Sequence, residues 1–338
     1  HFKFNPPTSS TSIMNTQTKL SNQALNYYPI ADKQFFPVYS YMNNRINMWN
    51  TERKLKQELL NNSSVIFVYQ MGKVGSMSTY LTLKKHLQNQ AIYHIHNLNS
   101  EHFSKIWKTM QLEKHYHAFT FGHSCMTKYL SEHIEEIKNQ KNIKIITGVR
   151  EPIARNISWF FQVIHCQSVF PEFFIKYQEG LITMDEIIKK FWSQKFVYGK
   201  QFDWFEEELQ PVFGIDIASI DFPKEKGYAI ANFPDRNIDL LVLKLEKLDS
   251  CLKEALETFL GVENLDCERL DRADFLEADD YLIYDNLRKS LTFSDEYLEE
   301  IYDQPLVSHF YTDEEINKFK EEASNENQCK VFLSTDCG

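Results

Sequence analysis

Glycine is scarce in this chain, 10 of 338 residues, which excludes collagen-like and Gly-rich low-complexity architectures. Long apolar runs are missing too: none reaches the roughly 18 residues of a membrane-crossing helix. The 6 cysteines include no C-x-x-C pair, so neither a disulfide framework nor a zinc ribbon is indicated. Cys125, Cys166, Cys251 and Cys267 lie in helix-like or apolar stretches and read as buried free thiols. Positive charge is in deficit, 37 Lys and Arg against 47 Asp and Glu, for a net charge of −10. That balance argues against nucleic acid or an anionic membrane as partner of the whole surface. It also weighs against a long polyanionic acceptor unless a local basic pocket intervenes. No two-His or Asp-rich metal constellation stands out along the sequence. Aromatic residues are plentiful instead, 26 Phe and 17 Tyr, and with 338 residues the chain can bury a full-sized core.

Residues 1–50 are polar, carry Pro6, Pro7, Pro29 and Pro37, and read as an irregular arm, followed by a short helix over 51–60. From residue 64 apolar runs alternate with helical patterns. Strands are expected at Val65–Tyr69, Ala91–Ile95, Tyr116–Phe121, Ile143–Val149 and Ile238–Leu245. Helices are expected near 77–88, 100–114, 126–139 and from Pro152 onward, where Ile153, Ile157, Phe160, Phe161 and Ile164 repeat at helical spacing. Strands alternating with helices imply a parallel sheet covered on both faces. After about 165 the pattern is mostly helical, and Thr312 with Glu315 forms a capping box. The expected fold is α/β: a P-loop-like parallel sheet flanked by helices, with helical insertions and a helical C-terminal part. Residues 51–338 read as one catalytic domain, its nucleotide-binding core at about 60–250 and the helical part at about 251–338.

Three segments fall where the C-terminal ends of such strands would lie, the usual place for a ligand in an open parallel sheet. The run Val65–Tyr69 opens into Gln70-Met71-Gly72-Lys73-Val74-Gly75-Ser76-Met77-Ser78-Thr79. A strand, a Gly/Lys/Ser loop and a helix start present backbone N–H groups to an anion, with Lys73 as a mobile ammonium and hydroxyls from Ser76 and Ser78. It is no Walker A loop, because Val74 follows Lys73 where Ser or Thr would hold magnesium. The run Ile143–Val149 ends in Arg150-Glu151-Pro152-Ile153-Ala154-Arg155-Asn156-Ile157-Ser158. Arg150 offers a fork of donors for a phosphate, and Ser158, a mediocre helix former, sits on a well-patterned helix. Third, Phe121-Gly122-His123 supplies an imidazole whose ordinary pKa, near 6.5, suits general-base work. His96 is the alternative base, while His94, His115 and His117 read as strand or surface. Glu206-Glu207-Glu208 and Glu299-Glu300 read as solvated helix faces, and Phe202, Trp204, Phe205 and Phe213 as core.

These motifs resemble those of sulfotransferases that use 3′-phosphoadenosine 5′-phosphosulfate (PAPS). Gln70–Ser78 is similar to their 5′-phosphosulfate loop, Val149–Ser158 to their 3′-phosphate motif, and Leu243–Leu248 to their later Glu-x-Leu stretch. Within that family the order of Tyr93–His96, Phe121–His123 and the Arg-x-Pro segment resembles the polysaccharide 2-O-sulfotransferases and bacterial capsular polysaccharide sulfotransferases. The likeness is good over 64–165, thinner to 250 and silent on the first 50 residues. It implies that Lys73 stabilises the leaving phosphate, that Lys73, Val74, Gly75, Ser76, Met77 and Ser78 cradle the 5′-phosphate, and that Arg150 and Ser158 hold the 3′-phosphate. It implies His123 as general base, although the family's His-Gly-His is Phe121-Gly122-His123 here. The cofactor implied is PAPS, released as adenosine 3′,5′-bisphosphate, without a metal. The expected partner is a saccharide, or alternatively a small cationic molecule, with no nucleic acid and no membrane span. The rival readings are a P-loop kinase and a non-catalytic carbohydrate-binding protein. A chain that starts at His1 rather than Met reads as a processed form, which leaves room for a removed N-terminal anchor; the expected compartment is the cytoplasm.

Overall fold

A computed structural model describes residues 37–104, 118–164, 173–193, 202–267 and 278–324. Five strands form one sheet: β1 (Ser64–Tyr69), β2 (Ala91–Ile95), β3 (Asn142–Val149), β4 (Tyr228–Phe233) and β5 (Ile238–Lys244), in the order β2-β1-β3-β5-β4. The first four neighbours in that order are parallel, with Val65 opposite Ala91 and Ile143, and Ile143 opposite Ile238. β4 closes the edge antiparallel to β5. The chain leaves β1 toward β2 on one side and returns to β3 on the other. A topological switch therefore lies at the C-terminal ends of β1 and β3, where such sheets bind ligands.

The strands are continuous apolar runs because both faces are covered. Val65, Phe67 and Tyr69 point into the larger core, shared with α1 (Pro37–Asn61), α5 (Pro152–Ile164) and the aromatic residues Phe202, Trp204, Phe205 and Phe213. Ile66 and Val68 point the other way, onto α2 (Ser76–His86) and α9 (Leu248–Leu260). Between them α3 (Ala118–Glu132), α4 (Ile134–Gln140), α6 (Phe173–Gln178), α7 (Met184–Ser193) and α8 (Gln210–Phe213) follow in chain order. Burying a side chain such as Phe67 or Val68 stabilises the fold by roughly 1.5–3 kcal/mol. The C-terminal helices α10 (Ala278–Ser290), α11 (Asp295–Tyr302), α12 (Pro305–Phe310) and α13 (Asp313–Ser324) close the sheet end. The capping box at α13 forms as expected: Thr312 N–H donates to Glu315 Oε2 at 3.0 Å and Glu315 N–H to Thr312 Oγ1 at 3.2 Å. Lys244, at 0% exposure, donates to both Glu315 carboxylate oxygens at 2.9 Å and to the Phe310 carbonyl at 3.3 Å.

Several elements differ from expectation. Residues 37–50 belong to the 25-residue helix α1 rather than to an irregular arm. Pro37 starts it, Leu55 and Leu59 bury one face, and Asn62 Nδ2 caps the Glu58 carbonyl at 2.9 Å. Residues 1–36 lie outside the described residues. The strand expected at Tyr116–Phe121 is not formed: Ala118–Phe121 is the first turn of α3, and Tyr116 lies outside the described residues. A short apolar run cannot by itself tell strand from helix, and here the helical pattern downstream prevails. The helix expected at 126–139 is two helices, broken at His133. No helix among the described residues is long and apolar enough to cross a membrane.

Candidate functional site

The loop between β1 and α2 carries two left-handed residues, Lys73 at φ 73° and Gly75 at φ 83°. Gly75 occupies the N-cap position of α2, so the N-cap residue itself has no side chain to cap that helix end. A Cβ on Gly75 would lie 2.5 Å from Leu245 Cδ1, so the start of α2 is pressed against the turn that follows β5. A Cβ on Gly72 would lie 3.0 Å from the Trp159 ring. Lys73 is a non-glycine residue in the left-handed region, a conformation that costs of order 1–3 kcal/mol and clusters at ligand-gripping sites. Ser76 and Ser78 are buried, and Met77 packs its side chain onto the smaller core, which leaves only its backbone for a ligand.

The β3 end meets this loop through two guanidinium groups. Arg150 Nη1 donates to the Lys73 carbonyl at 3.1 Å, and Arg155 Nε donates to the Gly72 carbonyl at 3.3 Å. Arg155 also lies over the Trp159 ring at 5.5 Å and reaches Asn156 Oδ1 at 3.3 Å. Burial, with the Arg150 charge beside it, brings the Arg155 guanidinium down to about 10. Three cations thus converge on one loop. Arg155 was quoted above within the motif but given no role; its signal was a second Arg in the first turn of the helix that leaves the strand.

The two helix starts differ. Where the N-cap residue of α2 has no side chain, α5 is capped from within: Glu151 Oε1 and Oε2 accept from the N–H groups of Ile153 at 2.7 Å and Ala154 at 2.6 Å. Glu151 also accepts from the Tyr302 hydroxyl at 2.5 Å. Its own N–H donates to Glu246 Oε1 at 2.7 Å, and Glu246 Oε2 accepts from Tyr311 at 3.2 Å. Burial pushes both carboxyls above the usual carboxylate range. An anion at the β3 end would therefore be held by side chains rather than by the α5 backbone. Ser158 is 1% exposed, two turns into α5, and Arg150 is half-buried.

The histidines are arranged differently from the reading of the sequence. His123 does not follow a strand; it lies in α3, which brings it to the end of β2. There His96 and His123 stack with ring centroids 5.6 Å apart, and His94 stands edge-on to both at 4.9 and 6.0 Å. His96 Nδ1 contacts the Gln70 carbonyl at 2.7 Å. Burial is the main cause that lowers all three imidazoles, His123 to about 4. The charges of Lys73 and Arg155 act on His96, whereas the neighbouring charge acting on His123 is that of His96. The ring nitrogens of the three lie within 4.8 Å of one another, a set able to hold a metal ion. Sequence reading saw His94 as strand or surface and found no such set, because one member is distant in sequence and comes from a segment taken for a strand end.

The segment after β2 is anchored by Glu208. Glu206 and Glu207 are exposed as expected, but Glu208 is 0% exposed, on a π-helical turn, Phe205–Leu209. Its Oε2 accepts from the Tyr69 hydroxyl at 2.6 Å and from the N–H groups of Leu98 at 2.8 Å and Asn99 at 2.9 Å. Its Oε1 accepts from Asn97 Nδ2 at 3.1 Å and lies 2.6 Å from His102 Nδ1. Nearby, Trp204 Nε1 donates to the His96 carbonyl at 2.8 Å. The extra residue of a π turn re-aims a helix face, and here it turns Glu208 inward. Cys125 and Cys251 are buried free thiols pushed up to about 11 by burial, and Cys267 is half-buried; Cys166, with His115 and His117, lies outside the described residues.

The structure brings Lys73, Gly75 and the start of α2 together with Arg150, and His96 together with His123. Ser158 lies on the same helix as Arg155, inside the protein. Residues 175–312, less than half of the chain, match the profile of a family described as "Putative capsular polysaccharide synthesis protein". That stretch contains Glu208, Lys244 and Glu246 but neither the 70–79 loop nor Arg150 nor the three histidines. No curated protein and no solved structure matches the chain. What the chain is similar to, over 175–312, is a family of polysaccharide synthesis.

Proposed function

We propose that this chain is a sulfotransferase that moves the sulfuryl group of PAPS to a hydroxyl of a saccharide. The observation that carries the reading is the hydrogen bond from Arg150 to the Lys73 carbonyl. It ties the two strand ends proposed to bind anions together at the switch point of the sheet, an arrangement that supports a ligand with separated 5′ and 3′ phosphate groups. The α2 start, whose N-cap residue has no side chain, suits the 5′ end. Arg150 offers the charge-assisted fork for the 3′-phosphate, Ser158 is its expected partner there, and Arg155 ties down the loop through the Gly72 carbonyl. Likeness over 175–312 to a polysaccharide synthesis family supports a saccharide acceptor.

In this reading PAPS supplies an activated sulfuryl group, and the protein positions it and stabilises charge, as in phosphoryl transfer. Lys73 faces the charge that develops on the leaving phosphate oxygen. The proton of the acceptor hydroxyl passes to an imidazole of the stacked pair, His123 or His96; burial disfavours the protonated form of both, which keeps a lone pair available while weakening each as a base. Titration calorimetry with adenosine 3′,5′-bisphosphate tests the reading. Saturable binding that exceeds that of ATP with magnesium supports it, and preference for ATP with magnesium overturns it. An acceptor screen with PAPS, read by mass spectrometry, then identifies the saccharide.

A further inference from the structure

β2 and α3 place three imidazoles around one point. Each of His94, His96 and His123 offers a ring nitrogen, and the three nitrogens lie within 4.8 Å of one another. Nε2 of His94 and Nε2 of His123 are buried without a hydrogen-bond partner. Leaving two such atoms unsatisfied costs about 1–3 kcal/mol each, so a folded protein that keeps them has a use for them or a guest between them. Backbone carbonyls account for the other nitrogen of two of the rings. His96 Nδ1 faces the Gln70 carbonyl at 2.7 Å, which makes it the protonated nitrogen and leaves the Nε2 lone pair free to ligate. The His123 ring is held by the His94 backbone, again leaving Nε2. Metal-ligating histidines are oriented in this way, with the second nitrogen on a backbone carbonyl that fixes the tautomer.

We propose that His94, His96 and His123 form a three-histidine site for a divalent transition-metal ion of the zinc class. Three neutral imidazoles suit zinc, cobalt, nickel or copper and do not suit magnesium or calcium, which demand oxygen ligands. With metal–nitrogen bonds of about 2.0–2.1 Å, tetrahedral ligands stand about 3.4 Å apart. The rings therefore draw in by about 1 Å on binding, a movement that side-chain torsions supply. Three imidazoles leave the fourth tetrahedral position to a ligand from outside the protein. This site stands on imidazole geometry alone, whether or not the chain transfers sulfuryl groups. If it does, metal occupancy takes the lone pair that the base needs, and the ion inhibits.

The experiment uses the full chain freed of metal with a chelator and titrated with Co²⁺, then Zn²⁺. One equivalent of Co²⁺ with the intense visible absorption of a tetrahedral site is expected, displaced by one equivalent of Zn²⁺. His94→Gln and His123→Gln should each weaken binding more than about 100-fold, beyond the 10–100-fold that loss of an outer hydrogen-bond partner costs. His133→Gln, at the break between α3 and α4, should leave it unchanged. Binding that survives in folded His94→Gln and His123→Gln proteins overturns the proposal, as does no binding by the wild type. Where a variant fails to fold, X-ray absorption on the zinc-loaded wild type decides. Three imidazole nitrogens uphold the site; fewer than three, or any sulfur ligand, overturn it. None of these readouts uses transfer activity, so failure of the metal site and failure of the sulfotransferase reading are told apart.

Discussion

Replacing Glu208 by alanine should be among the most damaging single changes outside the strands. The carboxylate collects five donors, and three of them, the Tyr69 hydroxyl and the N–H groups of Leu98 and Asn99, converge on Oε2. Tyr69 and Leu98 are fully buried, so water cannot replace the lost acceptor without opening the core. The other two donors, on Asn97 and His102, are half-buried and can turn to solvent. Three stranded donors at about 1–3 kcal/mol each set the scale, and partial water entry reduces the sum to about 3–5 kcal/mol. That is a large share of the 5–15 kcal/mol typical of a whole domain. Glu208→Gln keeps an oxygen for the three donors on Oε2 and sets its NH2 against His102 and the half-buried Asn97 amide, which can turn away, so it should cost only about 1–2 kcal/mol. Urea unfolding followed by circular dichroism measures both. An alanine variant within about 1 kcal/mol of wild type would show that the three donors find other partners, and the anchoring role of Glu208 would fall.

Arg150→Ala should weaken adenosine 3′,5′-bisphosphate binding by roughly 1.5–3 kcal/mol, the worth of a hydrogen bond to a charged group; unchanged calorimetric affinity in a folded variant removes Arg150 from the 3′-phosphate site. In metal-free protein the transfer rate should be level near pH 6.5 and fall only as pH drops toward about 4, because burial lowers His123 to that range and only the neutral ring accepts a proton. An acid limb centred near 6.5 that vanishes in His123→Gln would contradict the observed burial. Gly75→Ala should cost about 1–3 kcal/mol, since φ is 83° and its Cβ meets Leu245, and thermal unfolding with and without nucleotide will show whether the same change blocks the loop.

Four of the five strands were legible within a residue or two because each is a continuous apolar run, the mark of a strand buried on both faces. β4 was not, because Tyr228-Ala-Ile-Ala-Asn-Phe is an edge strand, buried only at its first two residues, and a weak apolar run. The loop from Gly72 to Ser78 and the Arg150 strand end could be read because glycine, lysine and arginine there follow such runs directly. The histidine cluster could not: it depends on α3 packing, and its segment Phe119-Thr-Phe121 has the composition of a strand. Glu208 escaped for a similar reason. A π turn shifts the facing of one residue in an acidic run, and nothing in Glu206-Glu207-Glu208 marks which one turns inward.

The closure of the sheet end by distant helices has a consequence for biosynthesis. Lys244 is fully buried at the tip of β5, and its carboxylate partner Glu315 is encoded 71 residues later. Glu151, which caps α5, is met by Tyr302 a further 151 residues along the chain. At about 5–20 residues per second of translation, 71 residues take about 4–14 s. Throughout that interval the emerging polypeptide holds a central strand whose terminal ammonium has no counter-ion to bury against. β5 and β3 can pair early, but the end of the sheet beside the Gly72–Ser78 loop cannot be sealed until α13 has been made. A ribosome stalled before residue 315 therefore leaves a half-shut sheet for chaperones to shield.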